Sequence, residues 1–148
     1  METFKINTKW NRTSDDFSFE NYNRKHAILF SGNQLLVNSS APSYKGDTDT
    51  ANPEELLASA ISSCHMLTFL AVASKSGYIV DSYEDDAVAV LEKNEQNIIS
   101  ITKVTLHPTI IFSGEKIPDH EKLQSLHEKA HRNCFIANSV KCSVEVVF

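Results

Sequence analysis

The segment Asn52-Pro53-Glu54-Glu55 constrains this chain more than any other, because it opens a helix and fixes where that helix begins. Asn52 is a strong N-cap and Pro53 suits the first helical position, where no backbone N–H is needed. Glu55, three residues past the cap, can close a capping box. From Leu56 to about Lys75 neither Pro nor Gly interrupts, and Gly77 is placed to end the helix. Leu56, Leu57, Ala60, Ile61, Leu67, Phe69, Leu70, Ala71 and Ala73 leave it almost no polar side. A helix apolar all round is expected to be buried on all sides. A chain of 148 residues has the length of one domain. Part of that burial is therefore expected from a second subunit.

Around this helix the pattern is mostly strand. Phe4 to Trp10 alternates apolar and polar residues for half its length, and Phe17 and Phe19 form a weak second strand. His26–Phe30 and Gln34–Val37 flank Ser31-Gly32-Asn33, which reads as a hairpin turn because Gly and Asn accept positive φ. Asp81–Asp86 reads as an acidic turn, and Ala87–Lys93 and Ile98–Phe112 as strands joined through Asn94-Glu95-Gln96-Asn97. A second helix is expected from Pro118 to about Cys134, with Leu123, Leu126, Ala130 and either His127 or Cys134 on its apolar side. Val140–Phe148 closes the chain as a strand with Cys142, Val144, Val146 and Phe148 on one face. The order of elements predicts an α+β domain with antiparallel sheet, not a parallel nucleotide-binding fold.

Composition excludes several functions. Fourteen basic against 19 acidic residues give a net charge of −5, which argues against nucleic acid or an anionic membrane as partner. No 18 consecutive residues are apolar, so no bilayer span is expected. Met1 to Trp10 mixes charged and apolar residues and lacks the run of a signal peptide. Three cysteines are an odd number and too few for a disulfide scaffold. The expectation is a soluble, cytoplasmic protein in a reducing compartment, with thiols that are buried or used. There is no Gly-rich phosphate loop, no Gly-x-Ser-x-Gly elbow and no aromatic–basic interleaving, so phosphoryl transfer, serine hydrolysis and nucleic-acid binding lack support.

The remaining chemistry rests on sulfur and imidazole. Cys64 stands mid-helix in Ser62-Ser63-Cys64-His65-Met66, where a lone cysteine most often acts as a small core hydrophobe. Its company raises the functional reading. Cys134 ends the other long helix, and two thiols on different elements can meet and cycle between dithiol and disulfide, one attacking as thiolate and one resolving. Cys142 faces inward from a strand and reads as structural. His127, His131 and Cys134, at i, i+4 and i+7, with Cys64 and His65, offer a zinc site as a competing reading, but no Cys-x-x-Cys or His-Glu-x-x-His signature accompanies them. The plainer reading of the two histidines is packing or capping near a helix carboxyl end.

Asn52-Pro53-Glu54-Glu55-Leu56-Leu57-Ala58-Ser59-Ala60-Ile61-Ser62-Ser63-Cys64 resembles the helix-opening motif of the OsmC/Ohr family, the osmotically inducible and organic-hydroperoxide-resistance proteins. His131-Arg132-Asn133-Cys134-Phe135-Ile136-Ala137-Asn138-Ser139 resembles its second motif, and the likeness runs from about Trp10 to Phe148. The resemblance implies a peroxidase that reduces organic hydroperoxides by cysteine chemistry, without metal or cofactor. It also implies an intertwined homodimer with its site at the subunit interface and a dithiol reductant of the lipoyl type. By the same resemblance Cys64 is the peroxidatic thiol, Cys134 the resolving thiol, and Glu54 the carboxylate that partners a catalytic arginine. Arg24, just before a strand, is the better match for that arginine and Arg12 the alternative; Arg132 reads as a solvated helix end. Phe135 stands where many relatives have Pro. A non-turnover redox sensor or small-ligand-binding module of the same fold is the alternative function.

Helix geometry adds one expectation. Glu54 and Cys64 are ten residues apart, which is about 15 Å along the axis and roughly 80° in direction. If both act on one peroxide, the carboxylate comes from Glu54 of the partner subunit, with the two helices antiparallel. Met66, Leu67, Phe69, Phe135 and Ile136 predict an apolar approach that favours alkyl or lipid hydroperoxides over hydrogen peroxide.

Overall fold

Helix α1, Pro53–Lys75, forms where its capping residues place it in a computed structural model covering residues 1–148. Glu55 N donates to Asn52 Oδ1 at 2.9 Å, and Asn52 N donates to Glu55 Oε2 at 3.1 Å. This reciprocal pair satisfies two amides that a helix start leaves without partners. At the other end Gly77 takes φ 77°, a left-handed conformation that costs glycine little.

The chain divides into two compact units, Met1–Leu56 and Leu57–Phe148. In the first, β1 (Ile6–Lys9), β2 (His26–Phe30) and β3 (Leu35–Asn38) make an antiparallel sheet in the order β1-β2-β3. The expected hairpin joins β2 and β3. Asn33, at φ 59°, supplies its left-handed residue, while Gly32 stays outside that region. Phe17 and Phe19 are not in a strand. Asp16 instead accepts hydrogen bonds from Ser18 Oγ and Asn21 Nδ2, and these local bonds fold the segment into turns. Phe17 packs in an aromatic group with Trp10 and Tyr22, at ring separations of 5.8 and 5.2 Å.

The second unit holds two sheets. β4 (Ile79–Asp85) pairs antiparallel with β7 (Pro108–Ser113). β6 (Ile99–Leu106) lies between β5 (Val88–Lys93), antiparallel to it, and β8 (Ser143–Val146), which runs parallel. The acidic segment expected as a turn is thus most of strand β4. Val80 and Tyr83 pack inward across a bulge, while Asp81 and Glu84 face solvent. Charge on outward-facing positions suits a strand with one wet face. The single long strand expected over Ile98–Phe112 breaks at His107. Pro108 has no N–H for the ladder, and His107 N donates to Asp85 Oδ1 at 2.6 Å, which pins the corner where the chain changes sheet. Helix α2, His120–Asn133, is capped by Asp119, whose Oδ1 accepts from Lys122 N at 2.8 Å.

Two apolar clusters fill this unit. Phe69 and Ala73 of α1, Tyr78, and Leu126 and Ala130 of α2 form one beneath β4 and β7. Ile61 of α1 with Val104 and Leu106 of β6 form the other, and Cys142, Val144 and Val146 pack against it. Ala58, Ile61, His65, Phe69 and Ala73 make the buried stripe of α1 at helical spacing. The expectation of burial on every side is not met within one chain: Ala60, Leu67 and Ala71 are exposed, Leu67 at 60%. By length and composition α1 is also apolar enough to cross a membrane, with a mean hydropathy of 1.8, although Ser62, Ser63 and His65 interrupt any unbroken apolar run. A core helix passes the same test, and the buried stripe of α1 packs on protein.

Candidate functional site

Cys64 lies on α1 between the two clusters, one residue before the buried His65, and is half-buried. Cys134 is the C-cap of α2, its N–H donating to His131 O at 3.2 Å, and is fully buried. The chain then wraps the sulfur. Asn138 N donates to Cys134 O at 3.1 Å, and Ala137 N donates to Cys134 Sγ at 3.4 Å. Phe135 points outward at 80% exposure, so the turn after Cys134 is closed by these bonds without proline.

The two thiols, 70 residues apart in sequence, are both reduced, and Cys64 is near enough to act on the Cys134 thiol. Burial pushes the Cys134 thiol up to about 11. The neighbouring Cys64 pushes the same way, and the amides of Ala137 and Ile136 partly oppose both. Cys134 therefore keeps its proton at neutral pH. Two neighbouring sulfurs on separate elements, one of them accessible, are what a dithiol–disulfide cycle requires.

Beside them lies a feature that the sequence did not give away. His65 Nε2 and His127 Nδ1 are 3.1 Å apart, with the rings nearly parallel and both residues buried. His127 is also stacked on Phe148 and packed against Phe69. The outer nitrogens, His65 Nδ1 and His127 Nε2, have no partner. The available signal was position, since His65 falls four residues after Ile61 and four before Phe69. The candidate zinc face is divided by this pairing, because His127 bonds His65 while Cys134 Sγ accepts from Ala137 N. No group of three metal-binding side chains is arranged to hold an ion.

Burial lowers both imidazoles to about 4. For His65 the charge of His131 lowers it further and Asp85 opposes, and for His127 the second cause is His65. Histidines held neutral in the fold but free to charge when unfolded stabilise it above about pH 6.5, and that stability is lost as pH falls toward 4. Between pH 7 and pH 5 the loss is expected to be about 2 kcal/mol per histidine. Urea midpoints at the two pH values measure it, and a midpoint unchanged at pH 5 contradicts neutral burial of the pair.

Arg24 and Glu54 lie in the first unit. The Arg24 guanidinium donates to Tyr22 O at 2.9 Å and Phe19 O at 2.7 Å, and stacks over the Tyr22 ring at 4.0 Å. It borders a cavity of about 470 Å³ with Trp10, Phe17, Tyr22, His26 and Pro53. Arg12 is exposed and donates to the Ser14 and Asp15 carbonyls. Glu54 is half-buried, with Oε2 enclosed and without a partner, and within one chain no ion pair joins it to either arginine. Arg132 is exposed at the end of α2.

Residues 46–148 match the family model for OsmC-like proteins. An OsmC-like protein of unknown function from Vibrio cholerae has a solved structure that superposes with a TM-score of 0.93 at 38% identity, covering 99% of both chains. The organic hydroperoxide resistance protein OhrB of Bacillus subtilis shares the fold, with a TM-score of 0.68 at 23% identity over 98% of this chain and 95% of that one. The uncharacterised protein YmaD of Bacillus subtilis is 22% identical over 117 residues, 78% of this chain and 77% of its own.

Proposed function

The chain belongs to the family of OsmC-like proteins, and from that premise we propose that it is a cysteine-based peroxidase that reduces alkyl or lipid hydroperoxides to alcohols in oxidative-stress defence. The observation that carries this reading is the half-buried, free Cys64 neighbouring a Cys134 thiol that is buried and protonated. In the first step the Cys64 thiolate attacks the terminal peroxide oxygen. The O–O bond breaks, the alkoxide takes up a proton and leaves as the alcohol, and Cys64 becomes a sulfenic acid. Cys134 then attacks the Cys64 sulfur. The S–O bond breaks, hydroxide leaves with the thiol proton as water, and the disulfide forms before sulfur can be oxidised further.

A thiolate in apolar surroundings needs a cation, and arginine stays charged and can fork toward both thiolate and peroxide. Arg24 is assigned that part, with Arg12 as the alternative. Glu54 is assigned the part of orienting the guanidinium. Its unpartnered Oε2 lacks the donor that such a pairing would supply. Its place ten residues before Cys64 on one continuous helix supports action across a homodimer, by Glu54 of the partner subunit. The exposed Ala60, Leu67 and Ala71 on α1 support the same assembly. An external dithiol of the lipoyl type reduces the disulfide through a mixed disulfide, and the reading places the protein in the cytoplasm.

Stopped-flow consumption of tert-butyl or cumene hydroperoxide against hydrogen peroxide tests the substrate class. A second-order rate higher by about fourfold for each buried methylene is expected for the organic peroxides. Equal rates contradict it.

A further inference from the structure

His127 is buried, holds a ring nitrogen without a partner, and stands in the wall of a cavity between α2 and β8. We propose that this cavity binds a small organic ammonium ion with an apolar body.

The cavity measures about 380 Å³, within the range of small-molecule sites. Gln124, His127, Glu128 and His131, on one face of α2 at helical spacing, make one wall. Val144 and Val146 of β8, with Phe148 beyond, make the other as alternate residues of an extended chain. One wall is polar and the other apolar. Neither Cys64 nor Cys134 lines the cavity, so the proposal stands apart from the peroxidase reading.

The polar wall offers hydrogen-bond acceptors. Gln124 Nε2 donates to Glu128 Oε1 at 3.0 Å. A carboxylate only accepts, so this bond fixes the orientation of the amide and turns Gln124 Oε1 away from it. Glu128 is the one carboxylate in the lining, and no lysine or arginine accompanies it. His127 Nε2 is a further acceptor. Its ring is 2% exposed, and Nδ1 lies 3.1 Å from His65 Nε2 on α1, so Nε2 leaves the ring on the edge away from α1. In the imidazole pair one ring donates and the other accepts. Ser62 Oγ holds Asp85 one turn before His65, and the Asp85 charge acts on His65 and not on His127. That charge favours the proton at His65 Nδ1. His65 Nε2 then accepts from His127 Nδ1, which leaves His127 Nε2 a bare acceptor. Phe148 stacks on the His127 ring at 4.3 Å and is itself 42% exposed, so the shift of one side chain opens this nitrogen to a ligand.

An ammonium group carries three donors, no acceptor and a positive charge. It matches the Gln124 oxygen, the His127 nitrogen and the Glu128 carboxylate, the last through a charge-assisted bond. An anionic ligand meets Glu128 as a like charge and finds no lysine or arginine to pair with. Val144, Val146 and Phe148 take the apolar body.

The test titrates phenethylamine into the full chain at about pH 7.5, where an alkyl ammonium is charged, and follows the His127 ring by nitrogen NMR. A saturable shift of the Nε2 resonance is expected, with binding about tenfold weaker in Glu128→Gln. Glu128 is exposed, so that substitution leaves the fold in place. Hydrocinnamate, a similar body with the opposite charge, is expected to leave the resonance unshifted. Absence of a saturable shift, unchanged affinity in Glu128→Gln, or comparable binding of hydrocinnamate overturns the proposal.

Discussion

Cys64→Ser is expected to lower hydroperoxide consumption by about a thousandfold or more, the scale on which removing a nucleophile acts. The substitution changes one atom in a half-buried side chain. It leaves the local helix bond from Thr68 Oγ1 to Cys64 O intact, so the fold should survive. Cys134 cannot take over. It is fully buried and its thiol is held at about 11, so only about one molecule in ten thousand carries a thiolate there at pH 7. Cys142 is packed against the Ile61–Val104–Leu106 cluster. Residual peroxide after incubation with excess dithiol measures the effect. A variant that keeps more than about a tenth of the activity removes Cys64 from the mechanism.

Cys134→Ser separates the two steps. It should keep the first, because the attacking Cys64 is unchanged, and lose the second, because no sulfur remains to displace hydroxide. When the reductant is limiting, the first equivalent of peroxide per chain should be consumed quickly and further consumption should be slow. With peroxide in excess Cys64 should then gain two oxygen atoms and become a sulfinic acid, the fate that disulfide formation prevents. Full multiple turnover in this variant, at the parent's rate, would remove Cys134 as the resolving thiol.

What the sequence made legible and what it hid divide along the range of the interactions. The start of α1 is written in Asn52, Pro53 and Glu55, neighbours that bond one another, and the helix runs over the residues expected. The break at His107–Pro108 depends on Asp85, 22 residues earlier, so a continuous β-branched run gave no sign of it. β4 was obscured by its acidic residues, which mark only its solvent face. The Phe17–Phe19 alternation looked like a strand but has no partner strand, and Asp16 drew the backbone into turns.

The site shows the same division. Cys64 and Cys134 were identifiable one at a time from their motifs, and their approach depends on how α1 and α2 pack through Phe69, Ala73, Leu126 and Ala130. The imidazole pair belongs to that same packing, and only the place of His65 on the buried stripe hinted at it. Exposure around α1 was overestimated as burial because the apolar circumference exceeds what one chain covers. Arg24 and Glu54 show the limit of reading roles from motifs. Within one chain the guanidinium is tied to the carbonyls of its own loop, and the carboxylate oxygen lacks a donor.

The measurement that bears most directly on the central claim is the covalent state of the cysteines after one equivalent of an alkyl hydroperoxide is added to the fully reduced protein. Intact mass followed by peptide mapping should show the loss of two hydrogens and one disulfide, between Cys64 and Cys134, with Cys142 still a free thiol. Retention of all three thiols, or a disulfide that includes Cys142 in place of either, would contradict the account.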